Sequence, residues 1–484
     1  MTTTTEAMTG PAMVRFGRRP ARGLILGFST ARVMALMVAT TALVVGIIAA
    51  GVQGFAIAGV VWLPLGASAF VRWQGRPMIE WTPVVGHWGA RAAAGQTEYR
   101  ARPLAPRPAG TLALPGDAAA LRVFEDPESG AAMVHDPHRG TLSVALRVTH
   151  PAYVLLAPDE KRQRVTAWGR TLASLAQSGS LSAVQVLEQT VPDPGTGPEA
   201  WYAEKATHLD DLPNAEYQAL LGMAAHGSST HRTTITISLD MKRAARSVRA
   251  AGRGISGAAA VLRGDMAAVE HSLRPAQLRI DHWLAAPELA LMIRQAYDPT
   301  AGLLPGISSP SLGTAGPLAI SEHWGHFRHD RGYSTVLWIS EWPRIDVDPQ
   351  FLHAVVFSPG VRHSLAIVAH PLGTQEALRD IRKEKTEAIT DSSQKAKIGQ
   401  VQDLSDVQEY EDLLTRERAL ISGHADVVFS GFITVTADSE ATLRAAVSQL
   451  ERDATQSACE TRVLYGQQSQ AFVTAALPLA RTTF

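Results

Sequence analysis

The chain has 484 residues, 45 Lys and Arg against 45 Asp and Glu, and a single cysteine. That length exceeds one ordinary core and predicts roughly two to four folded units. The balanced charge gives no footprint for nucleic acid, so no direct sequence-specific nucleic-acid binding is expected, and the lone Cys459 excludes an intrachain disulfide framework and fits a reducing compartment. Charge is unevenly placed: residues 1–110 hold 11 arginines, no lysine and three acids (Glu6, Glu80, Glu98), leaving 34 basic and 42 acidic residues for the rest. The front is therefore basic and the body acidic.

Residues 1–32 read as a basic tail. Val33–Ala50 and Phe55–Val71 are two uncharged runs joined by Gly51, Val52, Gln53 and Gly54. Each run reaches the short end of a helical membrane span, about 17 to 18 residues, and two glycines around a polar residue suit a reversal. A transmembrane hairpin over 33–71 is expected, with lipid as a partner. Arg15, Arg18, Arg19, Arg22 and Arg32 precede it, Arg72, Arg76, Arg91, Arg100 and Arg102 follow it, and the tip has none. The positive-inside bias then predicts a two-pass protein of the inner (cytoplasmic) membrane with both termini cytoplasmic. Trp73, Trp81 and Trp88 suit the interface. A cleaved signal peptide is disfavoured because the apolar run starts late and is followed by a second one.

Residues 72–116 read as a juxtamembrane segment and a proline-rich linker. Beyond them a short meander is expected from Leu121 to Thr149, turned by DPESG and DPHRG. A rhythm of strand, helix, strand, helical insertion, strand, helix, strand, helix then runs twice. The first pass takes strands at Thr141–Thr149, Ala183–Val191, Thr233–Leu239 and Gln277–Leu284; the second takes Tyr333–Ser340, His363–His370, Val427–Ala437 and Glu460–Leu464. Ile235, Ile237 and Leu239 alternate with Thr234, Thr236 and Ser238, which predicts one core face and one polar face, as does Phe429 to Thr436 with a slip at Phe432. The expected fold class is α+β: the hairpin plus two tandem ferredoxin-like (split β-α-β) units, 117–297 and 333–484, with helical insertions and a joint at 298–332.

The chemistry-bearing motifs are sparse. Gly252, Gly254 and Gly257 satisfy G-x-G-x-x-G, but the preceding strand ends a dozen residues earlier, so a break within or between helices is the better reading than a cofactor site. His323, His326 and His329, flanked by Glu322 and Asp330, have a non-standard spacing for a metal and suit a solvated helix or loop near the joint. Lys385 and Thr386 are preceded by Glu384 where a P-loop needs glycine, which excludes P-loop ATP hydrolysis. Cys459 reads as a packing residue. The sequence therefore nominates no catalytic, cofactor-binding or metal residue, and no enzyme. The mixed charges from Arg379 to Lys397 suit a helical hairpin, solvated or used for docking.

Long strings carry a resemblance: VWLPLGASAFVRWQGRPMIEWTPVVGHWGARAAAGQTEYRARPL, RPAGTLALPGDAAALRVF, AAMVHDPHRGTLSVALRVTHPAYVLL, WISEWPR and LRDIRKEKTEAITDSSQKAKIGQVQD. In these the chain resembles, over nearly its full length, actinobacterial membrane proteins encoded with conjugation and type IV secretion-like genes. Its first 80 residues resemble PrgI-type two-helix subunits, and its body is similar in layout to the amino-terminal domain of conjugation motor ATPases. The resemblance implies a non-catalytic scaffold, with a motor ATPase and other apparatus subunits as partners and a homo-oligomer within the apparatus. An EccE-like component of type VII secretion is the alternative in the same class, and a membrane-tethered enzyme or ligand sensor the alternative in another.

Overall fold

The computed structural model describes residues 14, 16, 28–102, 105–149, 153–177, 179–192, 201–202, 204–205, 212–225, 229–301, 310–397, 404–422 and 426–481. Arg15, Arg18, Arg19 and Arg22 of the basic tail, residues 302–309 of the expected joint, and Gly399 lie outside them. Two compact units emerge: residues 18–97 with 465–467, and the remainder.

In the first unit one apolar helical element, Thr30–Phe70, is interrupted at Ala50 (φ −146°) and Gly51 (φ 55°). The second of these conformations is open to glycine without Cβ strain. The chain folds back there. A Cβ on Gly54 would lie 1.8 Å from the Gly46 carbonyl oxygen, and the rings of Phe28 and Phe70 sit 6.3 Å apart, although a straight helix of that length would separate them by about 60 Å. After the second arm come β1 (Arg72–Trp73) and β2 (Arg76–Pro77) around Gln74 (φ 50°) and Gly75 (φ 74°), two consecutive left-handed residues as in a type I′ turn. A helix, Thr82–Ala93, follows.

Among its described residues the second unit is built on thirteen strands: β3 (Glu98–Arg100), β4 (Arg122–Glu125), β5 (Ala132–Asp136), β6 (Thr141–Thr149), β7 (Leu181–Pro192), β8 (Ser229–Asp240), β9 (Arg279–Trp283), β10 (Ala319–Glu322), β11 (Phe327–His329), β12 (Gly332–Glu341), β13 (Arg362–Leu372), β14 (Asp426–Ala437) and β15 (Glu460–Val463). They form one sheet in the order β3-β10-β11-β12-β14-β13-β7-β8-β6-β5-β4, with β9 beside β6 and β15 beside β12. The mixed helix-and-sheet class is as expected, and the strands of the two expected tandem units belong to one continuous sheet. β7 and β13 pair antiparallel through seven residue pairs, from Val184 with Ala369 to Thr190 with His363. Left apart, each would expose a long edge with unpaired N–H and C=O groups, and pairing satisfies both. The stretch expected as a joint carries β10 and β11, and the end of the proline-rich segment is core, with Leu112 and Leu114 buried.

Helices cover both faces. Gly254–Leu273 packs on Val144, Val184, Ile235 and Ile237, and Glu440–Gln456 packs on the same face over Leu337, Leu365, Ile433 and Val435. On the opposite face Ala286–Tyr297 and Gln468–Ala476 lie over Ala183, Val336, Val368 and Phe432. The face expected to be polar is therefore buried. Thr234, Thr236, Ser238, Thr434 and Thr436 all lie inside, beneath a roof whose carbonyls the sheet's side chains satisfy. Gln185 donates to the carbonyls of Thr474 (2.9 Å) and Leu477 (3.0 Å) and accepts from the Ala480 amide (2.7 Å), while Ser364 donates to the Ala475 carbonyl (3.0 Å). Gln185 and Ser364 tolerate enclosure because they are hydrogen-bonded, whereas the Thr236 and Thr434 hydroxyls are buried without a partner; orphaning such a group costs roughly 1–3 kcal/mol.

Candidate functional site

Among the described residues one helical element, Thr30–Phe70, is long and apolar enough to cross a membrane. Its outward surface is apolar, with Val52 85% and Val60 79% exposed, and contiguous exposed apolar surface marks contact with a membrane or another protein. The two ends meet at a polar base. Ser29 donates to Glu80 (2.6 Å), and the Arg32 guanidinium lies 3.9 Å from the same carboxylate. Beside them Trp73, Trp81 and Tyr465 cluster with ring centroids 4.6 to 5.9 Å apart, and the Trp81 indole donates to the Trp73 carbonyl. Amphipathic rings of this kind suit the zone between hydrocarbon and water.

The second feature is the insertion between β13 and β14, helices Thr374–Lys397 and Leu404–Ile421. Ala377, Ile381 and Leu420 hold its base. Ion pairs link the arms: Lys385 with Glu417, and Arg416 with both Glu384 (3.0 Å) and Asp426. Burial works against the Arg416 charge, but its bonds to Asp426 raise its pKa overall. Arg379, Arg382 and Lys383 remain exposed, as do Ile389, Val407 and Tyr410. Within the mixed-charge stretch Lys385 thus serves the hairpin's own closure, while Arg379, Arg382 and Lys383 face outward.

The remaining motif residues separate. Gly252 (φ 123°) and Gly254 (φ 58°) turn the chain between helices Ala245–Ala250 and Gly254–Leu273. At Gly257 a Cβ would strike the Val248 carbonyl at 2.4 Å, so the glycine lets two helices touch. No strand feeds this turn, and the backbone is not arranged for a pyrophosphate. His323 and His326 stack 4.8 Å apart in the β10–β11 loop; burial, then the His323 charge, lowers the His326 pKa. His329 is instead buried. One ring nitrogen bonds the Tyr297 carbonyl and the other the Ser334 hydroxyl (2.7 Å), which in turn meets Thr436 (2.7 Å). Enclosure of this His–Ser pair leaves no approach for a substrate. Among the described residues no group of three or more His, Cys, Asp or Glu side chains is placed to hold a metal. Burial pushes the Cys459 thiol up to about 11, so it stays protonated at neutral pH. Lys385 and Thr386 lie in mid-helix, the threonine donating to the Arg382 carbonyl (2.9 Å).

One ion cluster escaped the sequence reading. Arg481 is buried and donates to Asp136 (2.7 Å) and, in a fork, to both oxygens of Asp117 (3.0 and 2.9 Å). Although burial opposes charge on Asp117, the Arg481 bond and charge hold its carboxyl below the usual range. The other Asp136 oxygen caps the DPHRG turn through the amides of His138 and Arg139. Asp136 and Arg481 line a cavity of about 380 Å³ with Arg139, Asp240 and His370. Its only sequence signal is an arginine closing an otherwise apolar carboxy-terminal run, AALPLAR. Compared with models of known protein families and with curated proteins, the chain matches none.

Proposed function

We propose that the chain is a membrane-anchored, non-catalytic scaffold of a conjugative type IV secretion-like apparatus, crossing the membrane twice and docking a separate motor ATPase through the charged insertion. The observation that carries the anchoring part is the fold-back of Thr30–Phe70: each arm has the length to span hydrocarbon of about 30 Å, and Phe28 and Phe70 finish side by side at the polar base. Two crossings then leave both flanks on one side, in keeping with arginine on both flanks and none at the tip. Reporters inserted at Gln53 and fused after Phe484 should therefore lie on opposite sides of the membrane; the same side for both would refute the two-pass reading.

The order of strands supports the idea of a doubled body. In chain order the first half contributes β6, β7, β8 and β9, arranged β9-β6-β8-β7, and the second contributes β12, β13, β14 and β15, arranged β15-β12-β14-β13. Both follow the fourth-first-third-second arrangement of a split β-α-β unit, here fused edge to edge. The scaffold role rests on the resemblance given above together with an exposed, rigidly braced pair of helices that interrupts this compact plan. Reversing Arg379, Arg382 and Lys383 to glutamate should weaken capture of the ATPase from native membranes at least ten-fold at low salt. Wild-type capture should itself weaken with salt, as electrostatic contacts do. A charge-reversed insertion that retains the ATPase with unchanged salt dependence rules this docking surface out.

A further inference from the structure

We infer that Trp342, Phe351 and Phe429 form a docking cage for an aromatic side chain presented on an extended peptide, and that its occupant is the chain's own amino-terminal tail, gripped at Phe16. Val14 and Val347 exchange both backbone hydrogen bonds, 2.8 Å from the Val14 amide and 3.0 Å from the Val347 amide. This is a single rung of antiparallel β-pairing, the way sheets and loops commonly hold an extended peptide. Phe16 lies two residues on from Val14. Its ring stacks on Trp342 at 5.2 Å and 24°, meets Phe351 edge-on at 5.2 Å, and tilts against Phe429 at 5.7 Å.

The cage is recessed into the sheet rather than laid on it. At Gly431 on β14 a Cβ would come within 2.7 Å of both the Trp342 ring and Ile339, so the missing side chain makes the floor on which Trp342 lies. Trp342 and Phe429 contact each other at 5.0 Å, and Trp342 and Phe351 at 6.3 Å, so the walls brace one another. Phe16 is the only aromatic residue among the first 27, so the tail offers the cage one candidate. The tail expected as a basic segment is thus fastened to the body through Val14 and Phe16. Given the anchoring reading above, on which this consequence rests, the body is attached on both sides of the hairpin: covalently after it, and through the cage before it.

A hydrogen-bonded antiparallel pair sets its Cα atoms about 5.5 Å apart, within the range a disulfide bridges. Full-length protein carrying Val14→Cys and Val347→Cys in a Cys459→Ala background should therefore form an intrachain disulfide on mild oxidation, in membranes or in detergent. Adding Phe16→Ala should cut the yield at least five-fold, whereas Phe16→Trp should keep it. An absent cross-link, or a yield indifferent to Phe16→Ala, overturns the cage. A disulfide that joins two chains overturns the chain's own tail as occupant in favour of a second copy's. The Gln53 and Phe484 reporters keep the two readings apart: a lost cross-link with those reporters on opposite sides of the membrane indicts the cage alone, whereas reporters on one side indict the two-pass reading.

Discussion

Leucine at position 54 should prevent the anchor from closing. A Cβ there falls 1.8 Å from the Gly46 carbonyl oxygen and 3.2 Å from the Ala50 Cβ, and Gly46 in turn has the Ala58 Cβ at 2.6 Å from its own ideal Cβ position. The obstacle is backbone, which no rotamer change removes, so the arms must part by more than an ångström; overpacking of this kind costs about 3 kcal/mol or more. Gly66 in the second arm has nothing within 4 Å of its ideal Cβ and supplies the control, since the same leucine there adds apolar surface without a clash. Membrane-fraction abundance of Gly54→Leu should fall several-fold below wild type while Gly66→Leu matches it. Equal abundance, with equal protection of the tip from aqueous labelling, would mean that the arms do not touch at these glycines.

Acid should loosen the body through His329. Burial, opposed by the hydrogen bond to the Tyr297 carbonyl and by the charge of Asp330, pulls its pKa down to about 4 from an ordinary 6.5. Between those values the unfolded chain binds a proton that the folded chain refuses, so stability rises with pH across that interval and is complete above it. Falling through the same window therefore removes stability, about 3 kcal/mol by the time pH 4 is reached. His363, also held down chiefly by burial, acts in the same direction. Denaturant unfolding of wild type and His329→Phe at pH 7.5 and pH 4 should show the variant losing less stability on acidification by roughly that amount. It should also be weaker at pH 7.5, because Ser334 and the Tyr297 carbonyl lose their partner. Parallel pH profiles for the two proteins would exclude His329 as the sensitive group.

Much of the secondary structure was legible because periodicity reports it directly. The helix Pro158–Gln177 follows the strand at Thr141–Thr149 as the strand-helix rhythm expects, and the strands around Val184, Ile237, Leu365 and Ile433 fall where the rhythm places them. What alternation cannot tell is whether a polar face meets water or a roof. Thr236 and Thr434 read as part of a polar face, yet both are buried. The slip at Phe432 was the available signal, since an aromatic residue on the wrong face requires a second core. Strands of three and four residues, such as Phe327–His329 and Ala319–Glu322, are too short for a period, so a glycine- and proline-rich stretch concealed them. The seam between β7 and β13 is a long-range pairing of half-sheets, and nothing local encodes which edge meets which. At the candidate site the apolar arms and the charged insertion were visible as composition, whereas the Phe16 cage and the Arg481 cluster bring together residues hundreds of positions apart.

The position of the insertion also fixes how a pull on it would be transmitted. It is spliced between Leu372 and Asp426, the last residue of β13 and the first of β14, which face each other at the end of eleven consecutive rungs. Traction on the helices would load both strands along their own axes from one end. Each is flanked by another neighbour, β7 beside β13 and β12 beside β14. Their outer ladders would then be sheared, with many hydrogen bonds sharing the load at once, instead of being peeled apart rung by rung. Mechanically the insertion is a handle welded to the middle of a plate, and a motor working on it would move the whole sheet.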